Sequence, residues 1–158
     1  MKNILSLLVI LFSLSSPAQE FSMKLFKNKT PRNIGPGGMS GRVTSIDVVH
    51  SNPDIMYSGT ASGGLWKSTS GGIKWTPIFE NEVTASIGAI AIQQSNPSVI
   101  WVGTGEGNPR NSLNGGFGIY KSLDGGKNWL LMGLEKTRHI HRVIIDPTNP
   151  DIVYAAAI

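Results

Sequence analysis

The sequence contains no cysteine, which removes disulfides and thiolate metal sites from consideration. Charge is sparse too: Asp, Glu, Lys and Arg make up 15% of the chain, and the formal net charge is +4. The basic residues are scattered, whereas a nucleic-acid footprint needs a basic face or stripe, so nucleic acid is not an expected partner. Long apolar runs are missing except at the start. There "MKNILSLLVILFSLSSPAQE" places Lys2 ahead of an apolar run from Ile4 to Leu14, with Ser16 and Ala18 set for cleavage after Ala18. This is the layout of a secretory signal peptide, and the run is too short to span a bilayer. The expectation is a signal peptide over 1–18 and a secreted, periplasmic or cell-surface location, with no membrane span after cleavage. No cysteine follows the cleavage point to carry a lipid. An exported chain without disulfides must be held by its core alone. Helical periodicity is also missing: outside the leader, no window keeps apolar residues at helical spacing for three turns.

What is present is repetition. "SNPDIMYSGTASGGLWKSTSGGIKW" begins at Ser51, "SNPSVIWVGTGEG" at Ser95 and "TNPDIVYAAAI" at Thr148. The Asn-Pro pairs at Asn52, Asn96 and Asn149 are 44 and 53 residues apart, and Gly59-Thr60 recurs 44 residues on as Gly103-Thr104. Spacing in the forties marks propeller blades or helical arrays. Strand chemistry decides between them, because each unit offers four short runs of Val, Ile, Tyr and Trp bounded by Gly, Pro, Asn and Ser. In the first unit these fall near 43–49, 55–59, 64–68 and 74–78; in the second, near 87–92, 99–103, 118–122 and 128–132. Four-stranded units repeated radially are the blades of a β-propeller. The expected organisation is a lead-in segment over 19–41, then all-β blades over about 42–81, 86–134 and, in part, 139–158. Ending after the second strand of a third unit leaves an apolar edge unpaired, a liability in folded proteins. Either the chain is an N-terminal fragment, which is the expectation, or copies assemble.

The third and fourth strands of each unit are joined by "WKSTSGGIKW" and "YKSLDGGKNW". Gly71-Gly72 and Gly125-Gly126 supply the positive φ that so tight a reversal needs. Asp124 can accept hydrogen bonds from backbone N–H groups of its own turn, and Ser70 can do so more weakly. Trp75 and Trp129 open the fourth strands and can bury their rings against a neighbouring sheet. These turns resemble the Asp-box, Ser-x-Asp-x-Gly-x-x-Trp. The pattern is complete at Ser122, Asp124, Gly126 and Trp129. At Ser68, Ser70, Gly72 and Trp75, serine replaces the aspartate. A structural role is expected for all eight residues.

At these residues the chain resembles the Asp-box (BNR-repeat) propellers: sialidases, xyloglucan-cleaving glycosidases and the sortilin/Vps10-type propeller. It looks most like secreted bacterial sortilin-like or glycosyl-hydrolase-like proteins, through "IGPGGMSGRVTSIDV", "SGTASGGLWKSTSGG", "WVGTGEGNPRNS" and "HIHRVIIDPTNPDIVYAA". The likeness runs from about Arg32 to Ile158. It implies a propeller fold and either a sortilin-like binding role or glycoside hydrolysis.

Antiparallel order puts the Asn-Pro turns and Gly-Gly turns at one end of each blade. The long insertion "GEGNPRNSLNGGFG", between the second and third strands of unit two, falls at the other, and loops on a rigid scaffold are where ligands usually sit. Candidate ligand-binding residues at that end are Glu106, Arg110, Asn111, Arg42 and His139. Glu106, flanked by Gly105 and Gly107, either accepts hydrogen bonds from its own loop or meets a ligand. Arg110 either clamps a carboxylate or pins the loop. His139 and His141 share a face if both are on a strand, but no third ligand accompanies them, so no metal is expected. Glu80 and Glu82 read as a solvated loop. No cofactor is implied.

Glycoside hydrolysis needs two carboxylates facing across the bond. Where the resemblance to xyloglucan-cleaving propellers implies an aspartate ahead of Gly-Gly, this chain has Ala61 or Ser62. A sialidase would gather three arginines; Arg32, Arg42, Arg110, Arg138 and Arg142 are present, without the Arg-Ile-Pro segment. Catalytic residues are therefore unassigned. An exported propeller binding polysaccharide or protein and peptide ligands ranks first here, and a glycoside hydrolase with catalytic residues partly outside the chain ranks second.

Overall fold

A computed structural model describes residues 22, 42–109 and 111–158. The expected signal peptide (1–18), the lead-in segment apart from Ser22, and Arg110 lie outside the described residues. The fold belongs to the compact unit Asn33–Ile158.

Among the described residues there is no helix, and ten strands form three antiparallel sheets. The first sheet is β1 (Val43–Val48), β2 (Met56–Thr60), β3 (Leu65–Ser68) and β4 (Trp75–Pro77), in chain order. The second repeats it with β5 (Ile87–Ile92), β6 (Ile100–Thr104), β7 (Ile119–Ser122) and β8 (Leu130–Leu131). β9 (Ile140–Ile145) and β10 (Val153–Ala157) pair as the third. The chain is all-β and forms a partial β-propeller of four-stranded blades. The fourth strands are shorter than expected: β8 starts after Trp129, because Asn128 and Trp129 are engaged by the preceding turn and the neighbouring blade.

First strands of successive blades lie against one another, β1 on β5 and β5 on β9. β5 is consequently buried along its whole length. Ile87, Ile90 and Ile92 pack towards the first blade with Val49, Tyr57, Leu65, Phe79 and Tyr120. Ala89 and Ala91 pack towards the third with Ile140 and Val143. Ile87 and Ile90 reach the same side despite their odd spacing because the ladder slips between Ile87 and Ala89, a β-bulge that resets the alternation. The same slip occurs between Val43 and Ser45 and opposite Ala156/Ala157, so Thr44, Gly88 and His141 are the equivalent extra residues.

Glycine sets the spacing between blades. A Cβ on Gly59 would stand 2.5 Å from Ile87 Cγ2, and one on Gly103 equally close to Ile140 Cγ2. Each second strand thus seats the first isoleucine of the next blade against bare backbone. Polar groups then register the seam: Asp47 accepts from the Ile92 N–H at 2.8 Å, Ser45 from the Ile90 N–H at 3.0 Å, and Thr44 donates to the Ile87 carbonyl at 2.6 Å.

At the turn end the Gly-Gly reversals behave as expected. Gly71, Gly72, Gly125 and Gly126 have φ of 61°, 86°, 72° and 89°. The buried hydroxyls of Ser68 and Ser122 accept from the N–H groups of Gly72 and Gly126, at 2.9 and 2.8 Å. Asp124 accepts from the Asn128 side chain (2.7 Å), the Asn128 and Lys127 N–H groups (3.0 and 2.9 Å) and the Ser122 hydroxyl (2.8 Å). The Ser70 hydroxyl in the first turn accepts the Lys74 N–H, at 2.9 Å, and beyond that has only its 3.4 Å contact with Ser68 among the described residues. Replacing Ser70 by Asp supplies the charged acceptor that the second turn has, so Ser70→Asp should raise Tm by a few degrees, checked by thermal melts.

Those donors, the Asn128 side chain first, hold the Asp124 carboxyl well below the usual 3.8. The group is depressed, so its contribution is complete above the ordinary aspartate range and is lost only as pH falls below it. The amide resonances of Lys127 and Asn128 should therefore stay fixed through pH 4 and move only in stronger acid. Movement centred at an ordinary aspartate pKa would contradict the network.

The second turn is also bolted to the blade before it. Lys67 and the Tyr57 hydroxyl both donate to the Gly125 carbonyl, at 2.8 and 3.3 Å. Trp129 donates its indole N–H to the Ile78 carbonyl at 2.7 Å and sets its ring edge-on to Phe79.

Candidate ligand-binding face

Antiparallel registers place the 61–64 and 105–118 connections, with 78–86 and 132–139, at the end opposite the Gly-Gly turns. Hydrogen bonds knit them: Gly64 N–H to Ala85, Gly105 N–H to Ser86, and Gly116 N–H to the Arg138 carbonyl at 2.6 Å. Asp124 and Glu106 therefore lie at opposite ends of the second blade. The loop end gathers where first strands begin, around Arg42, Ser86 and Ile140.

Glu106 is 1% exposed and forms an ion pair with Arg42 of the preceding blade, whose side chain is 37% exposed. Its own loop holds the backbone: the Glu106 N–H donates to the Asn114 carbonyl and the Ser86 hydroxyl, both at 3.0 Å, and Ser86 donates onward to Asn114 at 2.9 Å. Of the two readings of Glu106, its own loop or a ligand, neither describes the carboxylate's partner here, which comes from the neighbouring blade. Glu106 and Arg42 are thus brought together. Asn111 is exposed on the same loop. His139 stands one residue before β9, so the shared strand face with His141 does not form. Its N–H donates to the Ile158 carbonyl at 3.3 Å, its own carbonyl accepts the Ile158 N–H at 3.0 Å, and its buried Nδ1 has no partner among the described residues. Instead the ring of His141, the bulge residue, lies on Gly107, where any side chain would collide with it. Among the described residues no three His, Cys, Asp or Glu side chains gather as metal ligands.

No protein-family model matches the chain, and a search of curated proteins finds no match. Solved structures are similar. The GH74 enzyme of Niastella koreensis aligns at 26% identity and a TM-score of 0.57, over 75% of this chain and 17% of its own. An ancestral GH74 enzyme aligns at 26% identity and a TM-score of 0.58, over 72% of this chain and 16% of its own. The GH74 xyloglucanase from Xanthomonas campestris, at 17% identity and a TM-score of 0.51 over 71% of this chain and 18% of its own, shares the fold. This chain spans 17% of the first of these enzymes.

Sequence reasoning missed a second feature. Glu80 and Glu82 are not simply a solvated loop, because Glu82 is half-buried and both line a cavity with Trp66 on the loop side of the first blade. The signal was available in the apolar residues flanking the pair, Pro77 and Phe79 before it and Val83 after it, but nothing in one dimension places Trp66 beside them.

Proposed function

We propose that this chain forms part of a polysaccharide-acting, glycoside-hydrolase-like β-propeller, with the loop end as the sugar-facing side. The similarity to GH74 enzymes supports this reading over the sortilin-like one, and the observation that carries it is the Arg42–Glu106 pair. It pins the long 105–118 connection across the seam between two blades, holding an extended surface in one shape. Rigid positioning of loops on strands is what recognition of a regular polymer needs. Neutralised by Arg42, Glu106 acts as a positioning residue and not as a free acid or base. The acid and base that hydrolysis requires across the glycosidic bond belong, in this proposal, to other parts of the whole protein. The Gly-Gly turns serve as Asp-box scaffold, and the leader over 1–18 directs export.

The test is affinity electrophoresis of the chain through gels containing xyloglucan, mixed-linkage glucan or xylan, alongside an assay for released reducing ends. Retardation without turnover is expected. Passage through every polysaccharide unretarded, together with saturable binding of peptides, would restore the sortilin-like reading.

A further inference from the structure

A cavity of about 170 Å³ opens beside β3, β4 and the 78–86 connection, and neither Arg42 nor Glu106 lines it. Trp66 and Pro77 face one another across the β3–β4 ladder and form an apolar wall, continued by buried Phe79. The Trp66 indole N–H donates to the Gly63 carbonyl at 2.8 Å, which orients the ring and leaves its face as the group on offer. Glu80 and Glu82 complete the lining, and among the described residues neither carboxylate has a hydrogen bond or ion pair. Among the described residues no lysine, arginine or histidine lines this space, although Lys67 and Lys127 line a neighbouring cavity that Glu80 and Glu82 also border. Burial pushes the Glu82 carboxyl above its usual range. Tyr120, which feels the Glu82 charge, is 2% exposed, and its hydroxyl has no partner among the described residues. Burial, then the charges of Glu82 and Glu135, raise the Tyr120 pKa.

A partly buried carboxylate without a partner, as at Glu82, is costly unless a cation satisfies it, and exposed Glu80 adds a second negative charge at the same opening. An indole face attracts the same cation through its quadrupole. A neutral sugar ring would stack on Trp66 but leave both charges uncompensated. The volume falls below the ~300–1,000 Å³ of drug-sized sites, so one small group fits. We propose that this cavity binds a primary ammonium on a short apolar stem or ring, with the cation between Glu80 and Glu82 and the carbon skeleton against Trp66 and Pro77. A lysine side chain of a peptide and an amino sugar both present that chemistry. The cavity lies on the same loop end but is lined by neither Arg42 nor Glu106, and the proposal does not rest on the polysaccharide reading.

The test uses the chain labelled with 5-fluorotryptophan, which gives four ¹⁹F signals from Trp66, Trp75, Trp101 and Trp129, with Trp66→Phe assigning the first. Nα-acetyl-lysine amide and glucosamine are titrated beside their neutral counterparts, Nα-acetyl-norleucine amide and N-acetylglucosamine. At least one amine should shift the Trp66 signal saturably, with its neutral counterpart at least tenfold weaker. The stronger amine identifies the source, peptide or sugar. Glu80→Gln with Glu82→Gln should weaken binding tenfold or more while the other three signals stay in place. Exposed Glu80→Gln alone, which should leave the fold intact, is expected to weaken it severalfold. The proposal is overturned if neither amine shifts Trp66, if the neutral compounds bind equally, or if both carboxylate variants bind undiminished. Failure of polysaccharide binding would leave each of these outcomes unchanged.

Discussion

Gly105→Ala is expected to lower Tm by about 10 °C. A Cβ there would run into the Arg138 carbonyl and the Gly116 N–H, which are hydrogen-bonded to one another. These are backbone atoms, so no rotamer change can relieve the collision. The residue also sits at φ +88°, a region L side chains enter only with strain. Overpacking of ~1–3 kcal/mol plus backbone strain of ~1–3 kcal/mol makes a loss of about 4 kcal/mol, and a domain of this size loses roughly 3 °C per kcal/mol. Gly64→Ala is the control, because φ is +79° there but nothing lies within 4 Å of the added carbon. It should lose about half as much, the strain alone. Equal melting of the two variants by calorimetry would show that the contact between the second and third blades at Arg138 is not made.

Arg42→Ala should destabilise by about 2 kcal/mol and open the 105–118 connection to protease. Leaving a fully buried charge unpaired costs roughly 3–5 kcal/mol, and the partial exposure of Arg42 reduces that figure through solvent screening. The carboxylate of Glu106, not the lost arginine contacts, carries most of the effect. The double variant Arg42→Ala with Glu106→Ala should therefore be more stable than Arg42→Ala alone, a non-additivity readable by a double-mutant cycle in urea. If the double variant is worse by the sum of the two single losses, the two side chains do not act as a pair.

Much of this architecture was legible before any coordinates. Strand runs, Gly-Gly turns and Asn-Pro corners are written locally, since hairpin turns demand positive φ and pleated strands favour β-branched and aromatic residues. The Ser122–Asp124–Gly126 network could be anticipated because all its donors lie within a few residues of one another. Gly59 and Gly103 were visible as repeat markers, but not their purpose, since the isoleucines they accommodate belong to the next blade. The same limit applied to the candidate site. Arg42 and Glu106 were each singled out at the loop end, yet their mutual neutralisation depends on a seam between blades. It gives a prospective ligand carboxylate a partner from within the protein. Glu82 was misread for the matching reason: a short acidic turn looks solvated until Trp66 and Phe79 close around it.

By itself, the order of residues determined the blade, its four strands, its tight reversals and which end of it carries the long connection, because these follow from interactions spanning a handful of positions. Only the packing of blade on blade decided which carboxylates are neutralised and which remain unpaired. Charge, burial and access there are set by groups distant in sequence, Arg42 with Glu106 across two blades and Trp66 with Glu82 across a strand and a turn.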